Sequence, residues 1–118
     1  MIIRFMNKWN TAELIAAGEK LITDEVLTGF GRRRTMCASE YDDVMADIVI
    51  LDKALTGGCL SLVITLVTDA VCSAFSCVSS AETTLSHGHS YTGNALACAA
   101  AKAMEAIRLA IVEECRES

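Results

Sequence analysis

Two residues that could take part in chemistry each follow a short aliphatic run. Asp24 comes directly after Leu21-Ile22-Thr23, and Lys53 follows Ile48 to Leu51 with a single residue between. If both runs are parallel strands, the two side chains emerge at the carboxyl edge of the sheet, where open α/β sheets bind ligands. An amine that is desolvated or crowded by charge loses its proton more readily and becomes a nucleophile. The pair therefore indicates a reactive lysine beside a carboxylate.

This pair of groups is what pyridoxal phosphate (PLP) chemistry requires. The lysine forms a Schiff base with the cofactor aldehyde, and the acid keeps the pyridine nitrogen protonated so that the ring accepts electrons. Each residue alone has an ordinary explanation, because acids often follow strands and a single lysine such as Lys53 is usually structural. The prediction of a PLP site depends on both residues lying at one edge.

A third segment, SHGHSYTGNALACAAA at residues 86–101, runs from small and hydroxyl residues into an alanine-rich helix. Ser90, Thr92 and the amide groups at the helix start predict an anion site. His87 and His89 could instead bind a metal ion, but two histidines with no third ligand nearby are a weak metal signal. We expect no metal.

The elements that position these residues follow from hydrophobic periodicity and turn residues. Strands 21–24 and 47–51 are separated by enough chain for a parallel crossover. The run 60–67 follows strand 47–51 too closely for that, so the two must pair antiparallel or enter different parts of the sheet. The fold class is therefore α/β, with a mostly parallel sheet and one antiparallel strand. The remaining predicted elements are a helix at 11–17, a helix at 69–75, a polar loop at 76–86 and a long helix at 93–114.

Composition excludes several classes of protein. The 118-residue chain has a net charge of −5 and a pI near 4.9, which argues against a nucleic-acid partner. The apolar stretch 59–67 is too short to span a bilayer, and residues 1–10 lack the features of a secretory signal, so no membrane association is expected. The six cysteines form no C-x-x-C pair, which favours reduced thiols in the cytoplasm, or in the mitochondrial matrix of a eukaryote.

Three segments in this order and spacing carry a family resemblance: LITDEVLTGFGR at 21–32, DKALTGG at 52–58 and HGHSYTGNALACAAA at 87–101. They resemble the class III (fold type I) PLP-dependent aminotransferases over about residues 21–106. Three features resemble the subgroup of biotin biosynthesis: the segments KALTGG and HGHSYTGN, and Leu27, where many other members have glutamine. The resemblance implies amino transfer to 8-amino-7-oxononanoate, giving 7,8-diaminononanoate. The amino donor would be S-adenosylmethionine, the norm in this subgroup, or lysine, which some relatives use.

The resemblance also implies a role for each matching residue. Asp24 would pair with the pyridine nitrogen, and Val26 would pack on the face of the cofactor ring. Lys53 would be the catalytic residue, which binds the cofactor covalently and then moves a proton between the substrate α-carbon and the cofactor. These roles are assigned by the family pattern and complement the prediction made from the strand ends.

The helix-start segment has implied roles of its own. His89 and Ser90 would hold the cofactor phosphate, and Gly88 would line the substrate site. In this family the segment reaches across a dimer interface, so the resemblance implies a homodimer of the complete protein.

The sequence departs from the family pattern in two respects. Residues 32–35 (RRRT) stand where the family usually has a glycine-bearing turn. Residues 1–118 correspond to part of the large, PLP-binding domain only, with residues 1–10 matching no part of it. The aromatic that stacks on the ring and the arginine that binds carboxylate substrates are missing, so we expect the isolated chain to be inactive. Two alternatives stay open: another class III transaminase acting on an ω-amino acid or diamine, or a non-catalytic fragment.

Overall fold

The computed structural model describes residues 2–4, 18–75 and 88–117. Within these ranges lie a four-stranded sheet, two α-helices and two short 3-10 helices. The predicted helix at 11–17, the polar loop at 76–86 and His87 fall outside the described residues. The strands are β1 (Ile2–Arg4), β2 (Leu21–Asp24), β3 (Ile48–Leu51) and β4 (Ile64–Val67), the α-helices are α1 (Asp69–Phe75) and α2 (Ala95–Glu117), and the 3-10 helices are Ala38–Asp42 and Lys53–Thr56.

The sheet has the order β1-β2-β3-β4, so each strand pairs with its neighbour in sequence. The pairs β1–β2 and β2–β3 are parallel, and the pair β3–β4 is antiparallel. This arrangement confirms the predicted mostly parallel sheet with one antiparallel strand. In the central pair Asp24 lies opposite Ile50, so β2 and β3 end at almost the same height.

The last strand begins later than its composition predicts. Residues 60–67 are all compatible with a strand, yet β4 starts at Ile64. The chain between β3 and β4 first turns through the 3-10 helix Lys53–Thr56, which Gly57 ends in a left-handed conformation at φ +62°. The Thr56 hydroxyl then donates to the carbonyl oxygen of Leu60. This turn occupies the residues that would otherwise extend the strand.

Asp47 joins three strands at the amino edge of β3. Its carboxylate accepts hydrogen bonds from the Lys20 amine at 2.8 Å and the Leu21 amide at 2.9 Å. Its own amide donates to the Leu21 carbonyl oxygen at 2.9 Å, and its carbonyl oxygen accepts from Thr68 at 3.0 Å. The hydrogen bond from Lys20, followed by that from Leu21, lowers the pKa of the Asp47 carboxyl group. Asp47 therefore fixes the register of β2 on β3 and the end of β4.

The long helix begins at Ala95, two residues after the predicted start. Gly93 has φ +69°, which is outside the helical region, and Asn94 caps the first turn. The Asn94 side-chain oxygen accepts from the amides of Leu96 at 2.9 Å and Ala97 at 3.2 Å. Such a cap satisfies helix amides that would otherwise have no partner.

The core among the described residues is small. Its buried hydrophobic side chains come from β2, the end of β3, the second 3-10 helix and the first turn of α2: Leu21, Ile22, Leu51, Leu55 and Ala97. Apolar residues of β4 and α2 are more than one-third exposed, among them Leu66, Ile107 and Ile111. In the same described part, no helix has the length and apolar composition needed to cross a membrane. The sheet and α2 thus leave much apolar surface uncovered.

The loop that departs from the family pattern contains an unusual backbone conformation. Arg34 has φ +73°, and its amide donates to the Gly31 carbonyl oxygen at 3.0 Å to close a turn. A left-handed conformation costs a non-glycine residue about 1–2 kcal/mol. The sequence RRRT therefore puts an arginine where the backbone favours glycine.

Replacing Arg34 with glycine should stabilise the chain. We expect Arg34→Gly to raise the free energy of unfolding by about 1 kcal/mol, because the relief of left-handed strain exceeds the added entropy of the unfolded chain. Arg33→Gly is the matched control, since Arg33 is an equally exposed neighbour with φ outside the positive range. Denaturant unfolding of both variants measures the difference. Equal effects of the two substitutions would contradict the strain argument.

Candidate functional site

Asp24 and Lys53 follow adjacent parallel strands at the same edge of the sheet. Asp24 is the last residue of β2, and Lys53 comes two residues after the last residue of β3. The prediction that these two strands are parallel neighbours is confirmed. The structure therefore brings a carboxylate and an amine to the carboxyl edge of one strand pair, the position at which open α/β sheets bind ligands.

The Asp24 carboxylate is oriented by the backbone that follows it. Its Oδ1 atom accepts a hydrogen bond from the Val26 amide at 3.1 Å. The side chain is half-buried, and the second carboxylate oxygen has no hydrogen-bond donor among the described residues. A carboxylate has two oxygens and about four acceptor sites, so Asp24 keeps capacity for a further donor. Val26 is also half-buried and lies beside this carboxylate.

Lys53 begins the 3-10 helix Lys53–Thr56 and is exposed. The backbone around it is ordered, because the Leu55 amide donates to the Asp52 carbonyl oxygen at 2.7 Å and the side chains of Leu55 and Thr56 are buried. The described residues do not bury the Lys53 amine. The sequence predicts a lysine whose amine is shielded from water. Any such shielding of Lys53 must therefore come from polypeptide that covers this edge of the sheet.

Two other lysines lie in different parts of the fold. Lys20 forms an ion pair with Asp47 at the amino edge of β2, about 13 Å from Asp24 along the strand at 3.3 Å per residue. Lys102 lies on α2 beside an open apolar cleft. Of the three lysines in the described part of the chain, Lys53 is thus the one that follows the carboxyl edge of the strand pair.

Glu25 is a buried carboxylate that the sequence analysis did not single out. Its side chain is only 3% exposed and accepts hydrogen bonds from the Ala38 amide at 3.0 Å, the Ser39 amide at 2.8 Å and the Thr28 hydroxyl. Burial raises the pKa of Glu25, but the hydrogen bonds from Thr28, Ser39 and Ala38 together outweigh it and lower the pKa below its ordinary value. The hydroxyl of Thr28, three residues after Glu25, is a partner that the sequence could have suggested. The amides of Ala38 and Ser39 could not be predicted, because any residue supplies a backbone amide.

The loop after Glu25 packs closely on β3. The Gly29 amide donates to the Glu25 carbonyl oxygen at 2.8 Å. A Cβ atom on Gly29 would lie 2.7 Å from Leu51 Cδ2 and 2.9 Å from that same carbonyl oxygen. Gly29 therefore lets the loop approach the ends of both strands that carry the candidate site.

The segment before α2 is an exposed turn. The His89 amide donates to the Thr92 hydroxyl at 3.0 Å, the Thr92 amide donates to the His89 carbonyl oxygen at 3.0 Å, and His89 Nδ1 accepts from the Tyr91 amide at 3.0 Å. Gly88, His89 and Ser90 are all exposed. The Asn94 side chain already occupies the amides of Leu96 and Ala97, so these two amides are not available to the predicted anion site.

Neither a metal cluster nor a connection between this turn and the strand pair emerges from the described part of the chain. No group of three histidine, cysteine or acidic residues there is arranged to hold a metal ion. His87 lies outside the described residues, so the two-histidine alternative stays a prediction. The structure brings Asp24, Val26 and Lys53 to one edge, and it presents Gly88, His89 and Ser90 on a separate exposed turn.

An apolar cleft of about 520 Å³ lies between α2, the 3-10 helix that begins at Lys53, and the ends of β3 and β4. None of the predicted site residues lines it. Its walls are formed by Phe30, Met36, Leu51, Leu55, Ile64, Leu66, Ala101, Lys102, Glu105, Ala106 and Leu109. The cleft therefore marks incomplete packing of α2 and not the candidate site.

Comparison with known proteins gives a consistent result. Residues 15–115 match the family model described as aminotransferase class-III. The chain is 47% identical over 90 residues to adenosylmethionine-8-amino-7-oxononanoate aminotransferase of Synechococcus elongatus, which covers 76% of this chain and 21% of that protein. The chain spans about a fifth of the length of the curated relatives that it matches.

Solved structures give the same picture. The structure of adenosylmethionine-8-amino-7-oxononanoate aminotransferase from Methanocaldococcus jannaschii is similar with a TM-score of 0.75 and 39% identity, covering 81% of this chain and 23% of that one. An amine transaminase from an uncultivated Pseudomonas species, solved with PLP bound, has a TM-score of 0.78 and 36% identity and covers 84% and 22% of the two chains. The fold of the described residues is that of part of a fold type I transaminase.

Gly29→Ala should destabilise the chain by about 1–3 kcal/mol, the range for overpacking. The added methyl group meets a backbone oxygen that cannot move without disturbing Glu25. Gly88→Ala is the matched control, because neither glycine has a positive φ and a Cβ at Gly88 meets only Thr92 Oγ1 at 3.5 Å. We expect that control to change stability by less than about 0.5 kcal/mol. Chemical denaturation of both variants tests the close approach, and an equal loss in the two would contradict it.

Proposed function

The chain belongs to the class-III aminotransferases, and on that basis we propose that it forms the part of a PLP-dependent aminotransferase that carries the catalytic lysine. The complete protein would transfer an amino group from S-adenosylmethionine to 8-amino-7-oxononanoate in biotin biosynthesis. The observation that carries the proposal is the pair of adjacent parallel strands, because they bring Asp24 and Lys53 to one edge. A carboxylate at that edge would suit the ring nitrogen of a pyridine aldehyde, and an amine would suit its aldehyde group.

PLP, when bound, supplies an electron-accepting ring and an aldehyde that takes up an amino group. Asp24 would suit a protonated ring nitrogen, because the Val26 amide holds one carboxylate oxygen and no donor among the described residues occupies the other. Lys53 would hold the cofactor covalently and would serve as the base for proton transfer, and Val26 would lie against the cofactor ring.

In this proposal His89 and Ser90 bind the phosphate of the cofactor, and Gly88 lines the substrate site. The exposed turn that holds all three supports their use by a neighbouring subunit, because nothing described covers them. We therefore propose a homodimer of the complete protein. The Thr92 hydroxyl accepts from the His89 amide and keeps its own proton for a further acceptor.

The choice of substrates rests on the relatives, whose names specify the adenosylmethionine-dependent reaction. The similarity to an amine transaminase favours a second candidate, a class III enzyme acting on another amine or ω-amino acid. Leu27 is 55% exposed beside the proposed cofactor site, so it would contact the polypeptide that covers this site in the complete protein. Turnover of the complete protein with 8-amino-7-oxononanoate against a panel of ω-amino acids and diamines separates the two candidates. A cytoplasmic location is proposed with the same function.

The 118 residues act as one part of the large domain in this proposal. The small core and the exposed apolar residues of β4 and α2 support a need for further polypeptide over the sheet. A non-catalytic fragment is the alternative for the chain alone.

The purified 118-residue chain should show no transaminase turnover. Its described residues leave Lys53 exposed, so they do not enclose a cofactor around this amine. The assay is conversion of 8-amino-7-oxononanoate with S-adenosylmethionine and added PLP. Measurable conversion by the chain alone would contradict this expectation.

Lys53 should be the point of covalent attachment in a complete enzyme. We suggest a chimera in which residues 15–115 replace the matching segment of the Synechococcus elongatus relative. Lys53→Arg should abolish borohydride-fixed cofactor on the protein, because an arginine cannot lose its proton. Lys20→Arg is the control and should keep it, since that residue lies at the opposite edge of the sheet. Peptide mapping locates the adduct, and its appearance at Lys20 or Lys102 would overturn the assignment.

A further inference from the structure

Glu25 is the one buried carboxylate beside the proposed site among the described residues. Acidic side chains are rarely buried unless they are paired or fully hydrogen-bonded. The donors that reach Glu25 are neutral: the amides of Ala38 and Ser39 and the hydroxyl of Thr28. The carboxylate therefore holds two distant parts of one loop, residues 28 and 38–39, on the end of β2.

The backbone of Glu25 is held as firmly as its side chain. Its amide donates to the Ile50 carbonyl oxygen at 2.9 Å, which extends the β2–β3 pairing one residue beyond Asp24. Its carbonyl oxygen accepts from the Gly29 amide at 2.8 Å. Side chain, amide and carbonyl of this residue are thus all fixed, and little freedom remains for rotation between Asp24 and Val26.

Asp24 and Val26 stand on either side of this fixed residue, and the Val26 amide orients the Asp24 carboxylate at 3.1 Å. If the loop moved, the peptide between Glu25 and Val26 would turn and this hydrogen bond would be lost. The orientation of Asp24 therefore depends on a side chain that points away from it into the protein.

We propose that Glu25 is a positioning residue, which holds the loop 26–39 on the end of β2 so that Asp24 is aimed at the ring nitrogen of the cofactor. This inference rests on the proposed function of Asp24. Glu25 itself touches no reacting atom. It acts through the Val26 amide, and its removal should affect the electronic state of the cofactor more than substrate binding.

The first test needs no cofactor. In the 118-residue chain, Glu25→Gln should increase the hydrogen-exchange rate of the Val26 amide by roughly tenfold or more. An increase of this size is expected when a hydrogen bond to a charged acceptor is weakened. Glu40→Gln is the matched control, because exposed Glu40 accepts a hydrogen bond from the Cys37 amide in the same loop but does not adjoin Asp24. It should leave Val26 exchange unchanged. Should Glu25→Gln fail to fold, Thr28→Val removes one donor and keeps the carboxylate, and a several-fold increase is then expected.

The second test uses the complete chimera loaded with PLP. Glu25→Gln should lower kcat at least tenfold with KM for the amino acceptor nearly unchanged, and it should shift the pH midpoint of the cofactor absorbance. Asp24→Asn is the reference for loss of the ring-nitrogen partner. If Asp24→Asn alters neither kcat nor the spectrum, the proposed function fails. If Asp24→Asn is impaired but a folded Glu25→Gln matches Glu40→Gln in Val26 exchange, kcat and spectrum, only the positioning role is overturned.

Discussion

The register between β2 and β3 is the constraint on which the candidate site depends, and Asp47 sets it. One carboxylate oxygen binds the Lys20 amine and the other the Leu21 amide, while the Asp47 backbone pairs with Leu21 and Thr68. A slip of one residue would turn every side chain of β2 to the other face of the sheet. The Asp24 side chain would then leave the sheet on its opposite face. An interaction at the amino edge of the sheet therefore controls which face of the sheet the Asp24 carboxylate occupies.

The strands and their orientations were predictable because their chemistry is local. Leu21-Ile22-Thr23 and Ile48 to Leu51 are aliphatic and β-branched runs, and the acid and lysine that follow them mark a common edge. The element boundaries were less predictable. The β4 strand starts at Ile64 because a turn held by Thr56 takes up the preceding residues, and a hydroxyl that donates to a carbonyl four residues later leaves no pattern in the sequence.

The site was predictable in part for the same reason. Asp24 and Lys53 follow from the ends of strands, whereas Glu25 does not, because adjacent acids look alike in a sequence. Which one turns inward is decided by the return of the loop and by the amides of Ala38 and Ser39. The roles of Val26, Gly88 and His89 came from the family resemblance alone, whereas Ser90 was also part of the anion site predicted at the start of the long helix. The hydrogen bonds within the exposed turn at 88–92 do not test these roles.

The sheet order has a consequence for how the chain folds. Each strand pairs with its sequence neighbour, so the order in space repeats the order of synthesis. Contacts between neighbours in sequence close shorter loops than contacts between distant segments, and low contact order speeds folding. During translation β2 can dock on β1 as soon as it leaves the ribosome, and β3 on β2, before α2 exists. Of the four strands β4 emerges last, and its aliphatic residues form an edge that is still open. That edge is the point at which a partly made chain is most exposed to pairing with another.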